Sequence, residues 1–205
     1  MLLAAGTKKE IVSRLAEVIK ARCKRCADFK LPATRPQVKA TLARFFNHMM
    51  QADLFFVLGG EYLLIIDELF RYKQAGCVAD RSFETLSSFM LQNWFRYFGP
   101  PCHLTVDQEG ALAGIAMGAL CDKFKIQRHV AGSDPTTSGR NSRHTRTGLA
   151  EKHIDLLKLT MLKMHAELVS QAIDCSKDDL VAEACMAHNL LLTFNGVTPA
   201  LGVLG

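Results

Sequence analysis

Between residues 49 and 80 three short apolar segments follow one another with little chain between them: "MMQADLFFVL", "EYLLIIDEL" and "RYKQAGCVAD". Segments of this length, rich in aromatic and branched side chains, are strands. Gly59-Gly60 supplies a tight turn between the first two, so the expected unit is an antiparallel three-stranded meander. That unit constrains the rest of the chain, because a sheet with two apolar faces must have both covered. The next stretch, "SFETLSSFMLQNWFRYFGPP", has a helical body with Ser82 placed as N-cap and Gly99-Pro100-Pro101 as a stop. "HLTVD" is a fourth strand, "GALAGIAMGALCDKF" a helix and "KIQRHVA" a fifth strand. Strands joined by helical crossovers run parallel to the first. The expected fold class is thus a mixed five-stranded α/β sheet, a meander plus two parallel strands, flanked by helices.

The outer segments complete this layout. Residues 8–22 carry apolar positions 11, 12, 15, 18 and 19, one face of a helix, and run into "CKRC" and a basic linker, "KLPATRPQ". Residues 132–148 are rich in Gly, Ser, Thr and Arg with no apolar period, which predicts a basic loop. A long helix is expected from Leu149 to Ala172, with Ile154, Leu157, Met161, Met164 and Leu168 at core spacing, and a last one over 178–193. Two units are expected: a basic helical segment over 1–44 and the sheet-containing unit over 45–205.

Charge is distributed unevenly. Residues 1–44 carry a net +8, residues 123–165 a net +6 and the remainder a net −9. Basic segments around an acidic middle suit a polyanion held beside a carboxylate-lined site; solvated faces that happen to cluster are the alternative. Seven cysteines without framework spacing argue against a disulfide scaffold. The opening "MLLAAGTKKE" turns polar too soon for a signal peptide, and no apolar run suffices to span a bilayer, so an intracellular, non-membrane protein is expected.

Two-metal phosphoryl chemistry needs several carboxylates converging on divalent ions. Acids inside apolar strands are the ones to weigh, since burying an unpaired carboxylate is costly. Asp53 sits within the first strand and Asp107 ends the fourth; if those strands are neighbours, both side chains lie at one edge of one face. Glu151 opens the long helix directly after the basic loop. Spacing alone leaves Asp107 open as a helix cap, Glu151 as an acid favoured by its helix dipole, and Asp53 as a solvated edge residue.

The order "QADLFFV…EYLLIIDELFRY…WFRYFGPPCHLTVDQEG…GLAEKHIDLLK…HNLLLTFNGVTPALGVLG" resembles the integrase catalytic core of retroviruses and gypsy-type LTR retrotransposons, over residues 45–205. That family reads "yllvvDdfSRy", "w…G.P..i.tDnG", "G..Er.n..lk" and "N…..tg.tP..l.G" in the same order. The resemblance implies a ribonuclease H-like fold, with Asp53, Asp107 and Glu151 as catalytic residues holding Mg²⁺ or Mn²⁺. It matches Asp67 to a non-catalytic hairpin Asp. It also implies DNA as substrate and partner, a homo-oligomer, a nuclear site of action on chromosomal DNA, and origin in a retrotransposon polyprotein.

Arg140, Arg143, Arg146, Lys152 and Lys158 are the candidate phosphate contacts; Lys158 lies seven residues after Glu151, on the same helical face. "CKRC" resembles the cysteine half of the family's zinc module, with Cys23 and Cys26 as its ligands. A closed zinc site needs four ligands and no histidine precedes Cys23, so zinc is not expected in this chain. The family's Asp-Asn-Gly is replaced by Asp107-Gln108-Glu109-Gly110. The function implied is DNA integration by a metal-dependent polynucleotidyl transferase or endonuclease that processes DNA ends and joins them to target DNA. The alternatives are a degenerate or co-opted core that binds DNA or a partner without catalysis, and a ribonuclease H-like nuclease on RNA–DNA hybrids.

Overall fold

The computed structural model describes residues 8–22, 43–108, 110–131, 148–194 and 196–205. Cys23, Cys26, Arg140, Arg143 and Arg146 lie outside the described residues. The first element is helix α1 (Lys9–Arg22). Five strands form a single sheet in the order β3-β2-β1-β4-β5: β1 (Met49–Val57), β2 (Gly60–Asp67), β3 (Lys73–Cys77), β4 (His103–Val106) and β5 (Gln127–Val130). β1, β2 and β3 pair antiparallel, whereas β4 runs parallel to β1 and β5 parallel to β4. The helices are α2 (Phe83–Met90), α3 (Gly110–Ala113), α4 (Ile115–Lys123), α5 (Gly148–Ser170), α6 (Lys177–Leu191) and α7 (Pro199–Leu204).

Period-two alternation along β1 divides the core into two layers. Met50, Ala52 and Leu54 join Leu63, Ile65, Leu104 and Val106 against α2, α3 and α4, with Trp94 fully buried at the centre. Phe55 and Val57 join Tyr62, Leu64 and Ile66 against Ala150, Ile154, Leu157 and Met161 of α5 and Leu180, Val181, Ala184 and Cys185 of α6.

Local structure departs from the sequence expectation at four points. Val57 pairs with Gly60, so the β1–β2 turn residues are Leu58 and Gly59, not Gly59-Gly60. Both have positive φ, 51° and 66°, the requirement of a type I′ hairpin turn. Ser82 caps α2 as expected, accepting from Thr85 N–H at 3.2 Å, and Gly99 stops the helical run at φ 75°. Between them, however, α2 widens into a π-helical segment (Leu91–Phe95) before a last α turn (Arg96–Phe98), which turns both Trp94 and Phe95 into the core. The helix expected over "GALAGIAMGALCDKF" breaks at Gly114, whose extended backbone (ψ 167°) separates α3 from α4. Finally, the C-terminal "NGVTPALGVLG" contains α7, capped by Thr198 and opened by Pro199.

Buried polar groups tie the layers together. Asn47 has φ 64°; its side chain donates to the carbonyls of Phe98 and Gly99 and accepts from Trp94 Nε1 at 2.8 Å. Under α5 and α6, His188 Nε2 meets Thr160 Oγ1 at 2.8 Å and its Nδ1 lies 3.4 Å from Lys73 Nζ. Asn189 accepts from Lys73 N–H and donates to Lys73 C=O. Burial, then the Lys73 charge, lowers the His188 pKa to about 4; burial, then Lys73 and Arg71, lowers His153 to about 2.

These two imidazoles are neutral in the folded chain while the unfolded chain takes up protons on them near pH 6.5. Unfolding free energy should therefore fall as pH drops from 6.5 to 4, by roughly 3 kcal/mol per histidine. Urea titrations across that window check this, and His153→Leu is expected to flatten the slope.

Candidate active site

The parallel register pairs Met49 with His103 and Ala52 with Val106. Continued by one residue, that register leads from Val106 to Asp107 and from Ala52 to Asp53. Asp53 shares the α5 face of the sheet with Gln51 and Phe55, because side chains alternate along a strand, and Asp107 directly follows the last residue of β4. Both carboxylates line one cleft of about 220 Å³ together with Lys158, Phe56, Glu61, Arg81 and Leu112. Asp53 is half-buried and accepts from Leu54 N–H at 2.8 Å; Asp107 is exposed and accepts from Gln108 N–H at 2.7 Å. The structure thus brings together two of the three expected acids and one of the expected lysines.

Glu151 stands in the first turn of α5, exposed, with Lys152 exposed beside it. The N–H of Ala150, its neighbour, is held by Gln51 Oε1 at 3.0 Å, and Gln51 Nε2 donates to Glu68 Oε1 at 2.6 Å. Among the described residues no group of three or more His, Cys, Asp or Glu side chains is assembled to hold a metal ion. The oxygens of Asp53 and Asp107 nevertheless suit Mg²⁺, which takes one or two carboxylates and fills its shell with water and phosphate. Lys158, two helical turns from Glu151, is half-buried and reaches the cleft wall.

Asp67 does something different. Its Oδ1 accepts from Asn47 N–H at 2.9 Å, and its Oδ2 from Leu69 and Phe70 N–H at 2.9 and 2.7 Å, so it fixes the β2–β3 turn to the approach of β1. Burial raises its pKa, and those amide donors oppose the shift. Arg81, ion-paired with Glu61, and the exposed Phe56 on the cleft rim were not singled out by sequence, nor was Gln51. A polar residue in phase with Asp53 inside an apolar strand is the signal that would have found Gln51.

No family model matches the chain, and no curated protein matches it. Solved structures do. The HTLV-2 integrase catalytic core domain, in complex with magnesium and in a dimeric form, is similar at TM-score 0.58 and 20% identity, covering 77% of this chain and 97% of that one. The catalytic core domain of BIV integrase is similar at TM-score 0.57 and 16% identity, covering 75% and 91%. The chain therefore has a ribonuclease H-like fold. Within that class, its fold is that of retroviral integrase catalytic cores, as the sequence resemblance implied.

Because Asp67 is buried under three amide donors and Asp107 is exposed, their amide substitutions should separate cleanly. Asp67→Asn leaves at least one buried N–H without an acceptor and should cost about 2 kcal/mol or more of stability. Asp107→Asn should leave the melting temperature nearly unchanged, and paired thermal melts measure the contrast.

Proposed function

We propose that the chain is a metal-dependent polynucleotidyl transferase of the DNA-integration type, with Asp53, Asp107 and Glu151 as its acidic residues. One observation carries the reading: β1 and β4, paired in parallel as far as Ala52 and Val106, lead into one cleft lined by Asp53, Asp107 and Lys158. Their donor chemistry fits Mg²⁺ or Mn²⁺, and the similarity in fold to a core solved with magnesium supports that choice. When bound, such ions supply activation of the attacking oxygen and stabilisation of the leaving one.

The protein's own part is placement. Asp53 and Asp107 fix the reacting centre at the rim of the sheet, and Glu151 approaches from the first turn of α5. Lys158 offers an ammonium group to a phosphate in the cleft, and Lys152 a second one outside it. Arg140, Arg143 and Arg146, outside the described residues, are further phosphate contacts by charge alone. Water attacks the phosphodiester in end nicking and a DNA 3′-hydroxyl attacks it in strand transfer, with no covalent protein intermediate. The dimeric form of the HTLV-2 core supports a homo-oligomer here too. Residues 1–44 form an appended basic segment, and chromosomal DNA as target places the action in the nucleus. The element of origin is proposed to be a retrotransposon. No described helix is long and apolar enough to cross a membrane.

A second reading, a core that binds DNA without catalysis, draws on the absence of an assembled three-residue metal cluster among the described residues. Divalent-metal-dependent nicking and strand transfer on oligonucleotides decide between the two. Asp107→Asn is expected to lower product formation roughly 100-fold or more while DNA binding persists. DNA binding by the wild type with no metal-dependent product would establish the second reading instead. Lys158→Gln should weaken DNA binding across sequences and reduce the salt slope by about 1.

A further inference from the structure

Gln51 is fully buried in β1, two residues before Asp53 and on the same face of the sheet. Two bonds of its amide fix each other. Ala150 N–H can only donate, so Oε1 must face it, at 3.0 Å; Nε2 then faces Glu68 Oε1, at 2.6 Å. Ala150 lies in the first turn of α5, where backbone N–H groups have no partner inside the helix. Gln51 therefore acts as a cap supplied by a strand 99 positions away in sequence. Glu68 holds the other end of the amide and is itself fixed at the end of the hairpin: its N–H donates to Met49 O at 2.9 Å, and its carbonyl accepts from Arg71 Nη1.

The anchored amide belongs to the residue immediately before Glu151. A helix tied at that amide has less freedom to slide along its axis or rotate about it, so the backbone at Glu151 is held in a set relation to the strand carrying Asp53. Apolar packing of Ala150, Ile154 and Leu157 attaches the helix to the sheet but does not determine its axial position as sharply as a hydrogen bond does. We infer that Gln51 is a positioning residue for the acidic site: through Ala150 N–H it sets the first turn of α5, and with it Glu151, against β1. The inference rests on the polynucleotidyl transferase reading of the site and names the residue that ties the helix bearing its third acid to the strand bearing its first.

The test compares wild type with Gln51→Met, which keeps the volume and removes both hydrogen bonds. Gln51→Glu is added alone and together with Glu68→Gln. In the double exchange a carboxylate at position 51 accepts from Ala150 N–H and from the amide at position 68, so both bonds are rebuilt with the charge swapped.

Two quantities are read: hydrogen exchange of the amides at 148–152, and the Mn²⁺ concentration giving half-maximal nicking. Gln51→Met and Gln51→Glu should speed exchange in that turn about 10-fold or more and raise the Mn²⁺ requirement roughly 10- to 100-fold, with DNA affinity within about twofold of wild type. The double exchange should restore both quantities. A residue with a merely structural role would lower the melting temperature without moving the metal dependence. Unchanged exchange, or faster exchange with an unchanged Mn²⁺ requirement, overturns the inference. Should Gln51→Met fail to fold, the double exchange decides, since failure to recover the Mn²⁺ dependence also overturns it. A wild type that binds DNA but yields no metal-dependent product removes the catalytic reading itself, an outcome distinct from an active wild type indifferent to Gln51.

Discussion

The parallel pairing of β1 with β4 is the contact on which the rest depends. A meander alone could place Asp53 anywhere along an edge, but a parallel neighbour in register brings a second carboxylate, Asp107, to the same cleft. Parallel strands cannot be joined by a tight turn, so this pairing requires the long excursion through α2. The excursion is also what supplies one cover of the sheet, with Trp94 and Met90 packed beneath β1 and β4. Site and core layer are thus two results of one crossover.

Around that pairing, polar groups fix geometry that apolar packing leaves loose. Asp67 and Asn47 join the β2–β3 turn, the approach to β1 and the end of the α2 run through backbone amides and carbonyls and the Trp94 indole. Gln51 and Glu68 join the hairpin to α5. The Gln51 bonds are buried and those of Asn47 half-buried, and an unmatched partner in such a setting is expensive, so the arrangement disfavours near-alternatives. Lys73 shows the cost of the same strategy: burial lowers its pKa to about 8, and burial, helped by the Lys73 charge, keeps both nearby imidazoles neutral.

Much of this was legible in the sequence because it is local or periodic. The three apolar segments gave β1, β2 and β3; Ser82 and Gly99 gave the ends of the α2 run; the spacing of Ile154, Leu157 and Met161 gave the buried face of α5. The neighbourhood of Asp53 and Asp107 was legible only on the condition that their strands are adjacent. Other features had no such signal. The π-helical widening at Leu91–Phe95 answers to the need to bury two consecutive aromatics, a tertiary demand with no periodic trace. The bonds of Gln51 to Ala150 and of Asn189 to Lys73 span 99 and 116 positions, and a single sequence does not announce such partners. The turn at Leu58-Gly59 was displaced by one residue because strand register, not glycine content, chose which two positions take positive φ.

The Asn189–Lys73 contact has a consequence for assembly. An asparagine side chain carries a donor group and an acceptor in the same spacing as a peptide unit, and here it occupies the N–H and C=O of Lys73 in β3 as a neighbouring strand would. The Ala75 backbone is engaged in turn by Cys185 from the same helix. The β3 edge therefore ends in side-chain mimicry of a sixth strand, which removes the template on which a foreign chain could dock by edge-to-edge pairing. A second copy approaching from this side would meet the outer surface of α6, where Met186, Leu190 and Leu191 are exposed, rather than a backbone ladder.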